Sequence, residues 1–261
     1  MGNITTIAKR ELTAYFASPV AYVFIVIFLV LTGSFTVLLG QFFERNEASL
    51  NAFFMWHPWL YLFLVPAIGM RLWSEERRQG TLELLMTMPV TPWQAIVGKF
   101  LASWVFLGIA LFLTFPIFTT VNYLGSPDNG VIFGAYVGSF MMAGAYLAIT
   151  CLTSALTRNQ VIAFIISVVI CLLLVLAGFD PVLRFIDVGS GWLNIILAKM
   201  SFGLLNISFA WLPDVASSFS FLTHFEDFQR GVIDLRHLVF FLSVICFTLF
   251  STSVVLKSIR S

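Results

Sequence analysis

Charge is scarce in this sequence. Asp, Glu, Lys and Arg together make up 10% of its 261 residues, whereas a soluble domain carries about 25%. The net charge of +1 leaves no basic field for nucleic acid. Only three cysteines are present, and Cys151, Cys171 and Cys246 each sit alone in a long apolar run. That excludes a disulfide framework and reads as small hydrophobes within helices. The three histidines, His57, His224 and His237, lie in different places with no Cys or carboxylate at ligand spacing, so no metal site is expected. No Gly-x-x-x-x-Gly-Lys-Ser/Thr run occurs, which removes a phosphate-binding loop of that kind. No nucleophile is followed by a recognisable base and no paired carboxylates are expected to face a cleft, so the chain is not expected to be an enzyme by itself. The uncharged segments hold no mid-span Asp or Glu, which argues against a proton- or sodium-coupled carrier.

Apolar bulk takes the place of charge. Hydrophobic residues make up 59% of the chain, Phe alone contributes 29 positions, and the mean hydropathy is +0.96. A bilayer-crossing helix needs roughly 20 apolar residues, and each charge at mid-bilayer costs about 2.5–3.5 kcal/mol. Uncharged intervals therefore measure the spans. They run 12–43, 48–70, 100–127, 129–157, 159–179 and 237–256. The reading is an all-α integral membrane protein with one transmembrane domain over 1–261. Its six helices lie near 20–42, 53–73, 92–122, 131–157, 160–179 and 236–257. The first is too long, and lacks the small-x-small site, for a signal peptide. Residues 188–213 contain two shorter apolar stretches separated by Lys199. They read as two re-entrant half-helices in the outer leaflet, with a single tilted span over 192–212 as the alternative. With six spans and both termini cytoplasmic, nine of the fourteen basic residues fall inside, as the positive-inside bias requires.

Before the first span, Ile4, Ile7, Ala8, Leu12, Tyr15 and Phe16 recur at helical steps, and Glu11 is the one charged residue in that stripe. Lys9 and Arg10 fall mostly on the other face. Residues 1–18 should form an interfacial amphipathic helix with those cations near anionic head groups. Ser18-Pro19 then supplies a cap and a first helical residue for a sharp corner.

Function concentrates in the second cytoplasmic segment, 75–90. Arg71, Glu75, Glu76, Arg77 and Arg78 are packed before Gly80, which breaks the charged helix. Thr81 can cap a short helix over 82–88, with Glu83 in its first turn and Leu82, Leu85 and Met86 on one face. Pro89 stops that helix. Thr91-Pro92-Trp93-Gln94 is a capping box that launches the third span. A hard-stopped apolar knob in the cytoplasm points to a partner groove. The arginines alone read equally well as positive-inside anchors.

The run Glu75-Glu76-Arg77-Arg78-Gln79-Gly80-Thr81-Leu82-Glu83-Leu84-Leu85-Met86-Thr87-Met88-Pro89 resembles the signature of the ABC type-2 permeases, the membrane subunits of ABC transporters. Within that family, Tyr15-Phe16-Ala17-Ser18-Pro19 and His224-Phe225-Glu226-Asp227-Phe228-Gln229-Arg230-Gly231 are similar to the gliding-motility and nitrous-oxide-reductase-maturation permeases. The resemblance implies a coupling helix centred on Thr81–Met88 that docks on a separate ATPase subunit, with Arg158 and Asn159 in a second contact. It implies two permease copies, the same chain or a paralogue, over two ATPase copies that bind ATP and Mg. It also implies the bacterial inner membrane as location. The chain itself would hold no cofactor.

On the outer side, Phe221, Phe225 and Phe228 form an apolar set, with Glu226, Asp227, Arg230 and Asp234 turned to water. This reads as a ledge for a lipid or a periplasmic or envelope accessory protein, or as the solvated end of the bundle. The competing functions are an ATPase-independent envelope scaffold and a facilitator channel.

Overall fold

In hydrocarbon every backbone polar group must pair inside the protein, which favours helices whose ladders close within their own segment. The computed structural model describes residues 2–45, 47–81, 91–189, 211–232 and 234–258, and every regular element among them is helical. Helix α1 spans Gly2–Ala17 and ends at Ser18, whose hydroxyl accepts the amide of Val20 at 3.3 Å. Pro19 opens α2 (Pro19–Ser34), which continues through a π-helical stretch, Phe35–Leu39. The corner expected at Ser18-Pro19 is present.

Next come α3 (Asn51–Phe54), α4 (His57–Gly69) and α5 (Arg71–Gln79). Thr91 caps α6 (Pro92–Phe112) through the reciprocal pair expected of a capping box. Its hydroxyl accepts the Gln94 amide at 3.4 Å, while the Gln94 side chain accepts the Thr91 amide at 3.2 Å. After α7 (Phe115–Leu124), Asp128 caps α8 (Asn129–Leu156), and Asn159 caps α9 (Gln160–Leu176). Helix α10 (Asp180–Gly189) folds back from α9 at 77°. The chain closes with α11 (Leu212–Ser218), α12 (Phe221–Gln229, capped by Ser220) and α13 (Leu235–Ser258).

Among the described residues, four stretches are long and apolar enough to cross a membrane: 19–39, 92–124, 129–156 and 235–258. A fifth exists if α9 and α10 count as one bent span. This is a multi-pass membrane protein. The crossing expected over 53–73 is divided among α3, α4 and α5, and its longest piece, α4, has 13 residues. The half-helices expected within 188–213 fall largely on 190–210, outside the described residues.

Helix α8 is the hub, packed against α4, α5, α6, α9, α12 and α13. Lipid tails are as apolar as leucine, so packing and hydrogen bonds hold such a bundle more than transfer from water does. Close approach is visible at two glycines. A Cβ on Gly138 would lie 2.6 Å from Phe228 of α12, and one on Gly144 would lie 2.7 Å from the Trp104 indole of α6. Tyr61 and Ser139 share a 2.7 Å hydrogen bond between α4 and α8, and the Tyr146 hydroxyl donates to the Pro58 carbonyl at 3.0 Å. By contrast, α2 and α9 leave long apolar faces uncovered, with Val23, Val26, Val30, Ile162, Ile165 and Val169 exposed.

Candidate functional site

The charged loop begins where α4 gives way to α5 at Met70. Ser154 of α8 occupies that break. Its hydroxyl oxygen accepts the amides of Trp73 and Ser74 at 2.9 and 3.1 Å and donates to the Met70 carbonyl at 3.1 Å. One donor and two acceptor sites of a hydroxyl are thereby filled. The amides at the start of a helix, which have no partner in their own ladder, are served here by another helix. Trp73 is fully buried and donates its indole N–H to Cys151 Sγ at 3.2 Å.

Over the Trp73 ring, 5.5 Å from its centre, lies the ammonium of Lys99. Lys99 belongs to α6, and its side chain is only 6% exposed. Its Nζ is 2.8 Å from Glu76 Oε1 and 3.5 Å from Glu11 Oε1, with those carboxylate side chains 20% and 21% exposed. A buried ammonium persists only when paired. Here the pairing draws together α1, α5 and α6. The single charge interrupting the apolar stripe of α1 is thereby accounted for. Glu11 faces inward because Lys99 needs a second anion.

Helix α1, expected as an interfacial helix, packs against α6. A Cβ on Gly98 would meet Ile7 at 2.8 Å, the Tyr15 hydroxyl hydrogen-bonds Ser103 at 2.9 Å, and the Tyr15 ring stacks on Phe106 at 5.2 Å. Phe16 meets Phe106 edge-on at 5.7 Å. Lys9 and Arg10 remain exposed, and Arg10 reaches Glu11 at 3.0 Å.

Beyond Glu76, Arg77 Nη1 donates to the carbonyl of Ala155, a free acceptor at the end of α8. Burial, and then the nearby Arg158 guanidinium, push the pKa of Arg77 below its ordinary value. Arg158 is therefore close to the loop, although 81 positions later in the chain. Asn159, expected as an ATPase contact, is the cap of α9 and accepts the Val161 amide at 2.9 Å. Glu75 accepts from Gln79 Nε2 at 3.3 Å, while Arg78 is exposed. Gly80 ends α5 in the left-handed conformation, φ +72°, as a helix-breaking glycine should, and the exposed Thr81 donates to the Glu76 carbonyl at 3.4 Å. Leu82, Glu83, Leu85, Met86 and Pro89 lie outside the described residues.

The stretch that carries α5, Lys99, Ser154 and Arg158 also decides the comparison with known families. Residues 60–186 match the family model of the ABC-2 family transporter proteins. The match supports a permease component of an ABC transporter, a membrane part and typically not the catalytic one. The chain matches no curated protein. The matched stretch, 60–186, holds the whole cluster except Glu11, which lies N-terminal to it.

Outside the ABC-2 region, the expected ledge takes a different form. Phe221, Phe225 and Phe228 are fully buried. An apolar face repeating at helical spacing serves an interface or a core equally well, and here it is core, with Phe228 seated on Gly138. The charged face stays out. Glu226 and Arg230 approach to 4.0 Å, and Asp234 accepts the Arg236 amide at 3.0 Å. Two of the three histidines, His224 and His237, thirteen positions apart in sequence, meet here with their rings 5.0 Å apart, and His237 Nε2 is 3.0 Å from Asp227. No group of three metal-ligating side chains forms among the described residues.

Proposed function

We propose that this chain is the membrane-spanning subunit of an ABC transporter, driven by a separate ATPase subunit that binds ATP and Mg. The observation that carries this reading is the Lys99 cluster. One buried cation ties the amphipathic helix, the charged helix and the following span together, next to where segment 82–90 begins. Movement imposed on that segment by an ATPase would reach α1 and α6 through two ion pairs and α8 through Ser154. The docking element is the short apolar helix over 82–88, with Leu82, Leu85 and Met86 as its contact face. Glu75, Glu76, Arg77, Arg78, Gly80, Thr81, Glu83, Pro89, Arg158 and Asn159 form its surroundings.

The remaining architecture follows the same proposal. Residues 53–73 form one of six crossings, 188–213 forms two outer half-helices, and both termini face the cytoplasm of a bacterial inner membrane. A second copy or a related permease covers the open faces of α2 and α9. The charged face of α12 receives a periplasmic or envelope partner. The work done is export or extraction of a substrate, or force passed across the membrane. The likeness of its terminal motifs to gliding-motility and nitrous-oxide-reductase-maturation permeases supports a role within that subgroup.

The test is gentle extraction from native membranes through a C-terminal tag, with co-purified proteins identified and ATP hydrolysis measured. An ATPase in equal ratio is expected. The variant L82A/L85A/M86A should insert normally but lose the ATPase or its turnover. A clean homo-oligomer without any nucleotide-binding protein, or unchanged turnover in the triple variant, would overturn the proposal in favour of an envelope scaffold.

A further inference from the structure

A cavity of about 530 Å³ separates α1 and α2 from α4 and α5, within the range of small-molecule sites, roughly 300–1,000 Å³. Its two ends differ in chemistry. One is lined by Val23, Phe24 and Ile27 of α2 and Leu64, Ala67 and Ile68 of α4; the other by Glu11, Arg71, Glu75, Glu76 and Lys99. Val23 and Ile27 are exposed, so the apolar end opens sideways onto the uncovered face of α2 rather than into the bundle. From Ser18 to Ile27 the helix rises about 14 Å, close to half of the roughly 30 Å hydrocarbon thickness. A cavity that is charged at the membrane edge, apolar for one leaflet and open to the side has the polarity of a lipid.

The charged end narrows the head group. Lys99 is already held by Glu11 and Glu76. Neither Arg71 nor Glu75 makes an ion pair among the described residues. They stand at i and i+4, on one face of α5. A cation without an ion pair, one turn from an anion whose hydrogen-bond donor is the Gln79 side-chain amide at 3.3 Å, matches a phosphate and an ammonium two carbons apart. In addition, Glu76 Oε2 is buried without a hydrogen-bond partner. Such an oxygen is costly unless it meets a donor, and a primary ammonium carries N–H donors where a quaternary one carries none. Three carboxylates against two cations disfavour an anionic head group.

We infer that this cavity binds an ethanolamine phospholipid, its phosphate on Arg71, its ammonium at Glu75 and Glu76, and one acyl chain along α2 and α4. The lipid wedges the amphipathic helix and the charged helix at a fixed separation. The inference rests on the proposed membrane placement of α2 and α4, but not on any ATPase.

The full chain is purified into nanodiscs holding equal parts of ethanolamine, choline and glycerol phospholipids, and retained lipid is read by native mass spectrometry. Ethanolamine lipid should be retained about tenfold over the others, near one per chain. Two variants, R71Q/E75Q on the exposed edge and A67F in the apolar end, should each return retention to the bulk ratio with helicity unchanged. The L82A/L85A/M86A chain should retain lipid normally, so failure of the ATPase proposal and failure of this one are separable. Bulk-like lipid in the wild type, preference for the choline or glycerol lipid, or unchanged retention in R71Q/E75Q would each overturn the inference.

Discussion

Replacing Lys99 with methionine keeps the length and the apolar stem of the side chain and removes only its charge. Glu76, 2.8 Å from the ammonium, and Glu11, 3.5 Å away, would then face each other across an uncharged gap. Breaking one partner out of a fully buried ion pair costs about 3–5 kcal/mol, because the remaining charge is stranded. Here each carboxylate side chain keeps about one-fifth exposure, and water at that edge screens part of the loss. About 2–3 kcal/mol is the expected cost of K99M. Restoring neutrality by K99M/E11Q/E76Q should recover most of it, since a whole ion-pair cluster replaced by neutral groups is often tolerated. Reversible unfolding of the full chain by denaturing detergent in mixed micelles, with E11Q/E76Q completing the cycle, gives the coupling energy as the triple variant's loss minus the K99M and E11Q/E76Q losses. A K99M chain within about 0.5 kcal/mol of wild type, or an equal loss in the E11Q/E76Q background, would refute the idea that these carboxylates depend on Lys99.

Two glycines in spans should behave in opposite ways. The extra methyl of G138A meets the Phe228 side chain near its own backbone, where it cannot swing aside, so overpacking should cost about 1–3 kcal/mol in the same unfolding titration. Gly33 has nothing within 4 Å of its built Cβ, and G33A should be neutral or slightly stabilising. On the opposite face, burial and then the neighbouring His237 push the His224 pKa below its ordinary 6.5. The unfolded segment therefore takes up a proton that the folded one resists. Stability is complete above about pH 6.5 and declines as the pH falls below it. Burial raises the Glu226 pKa above the usual carboxylate value, which acts in the other direction and at lower pH. Protection factors over 221–229, taken after correction for the pH dependence of intrinsic amide exchange, should fall between pH 7 and 5.5, and H224Q should flatten that response.

Local signals in the sequence were dependable. The Ser18-Pro19 corner, the Thr91–Gln94 box and the left-handed Gly80 each depend on residues within four positions, and each stands where the spacing puts it. What connects distant helices was not legible. Lys99 marks the edge of an uncharged interval, which locates it near the membrane surface but names no partner. Its carboxylates lie 88 and 23 positions upstream. The one available hint was Glu11, a charge in an otherwise apolar stripe, which on a free surface helix has no reason to face inward. Ser154 gave no signal at all, because a serine within an apolar helix usually satisfies itself on its own backbone. The 48–70 interval counts as one span by charge alone, yet the structure divides it, and composition does not say where a ladder is interrupted. Phe225 and Phe228 were legible as an apolar face and illegible as core.

Because the Trp73 and Ser74 amides in the first turn of α5 are bonded to Ser154 of α8, the charged helix is mechanically a branch of α8. A torque applied to α5 would find a pivot at Met70 and load α8 before α4. Since α8 touches most of the bundle, a displacement entering there would be distributed among its neighbours instead of running along one rod, and the stiffness of a single hydroxyl contact would set how much of it is lost as slack.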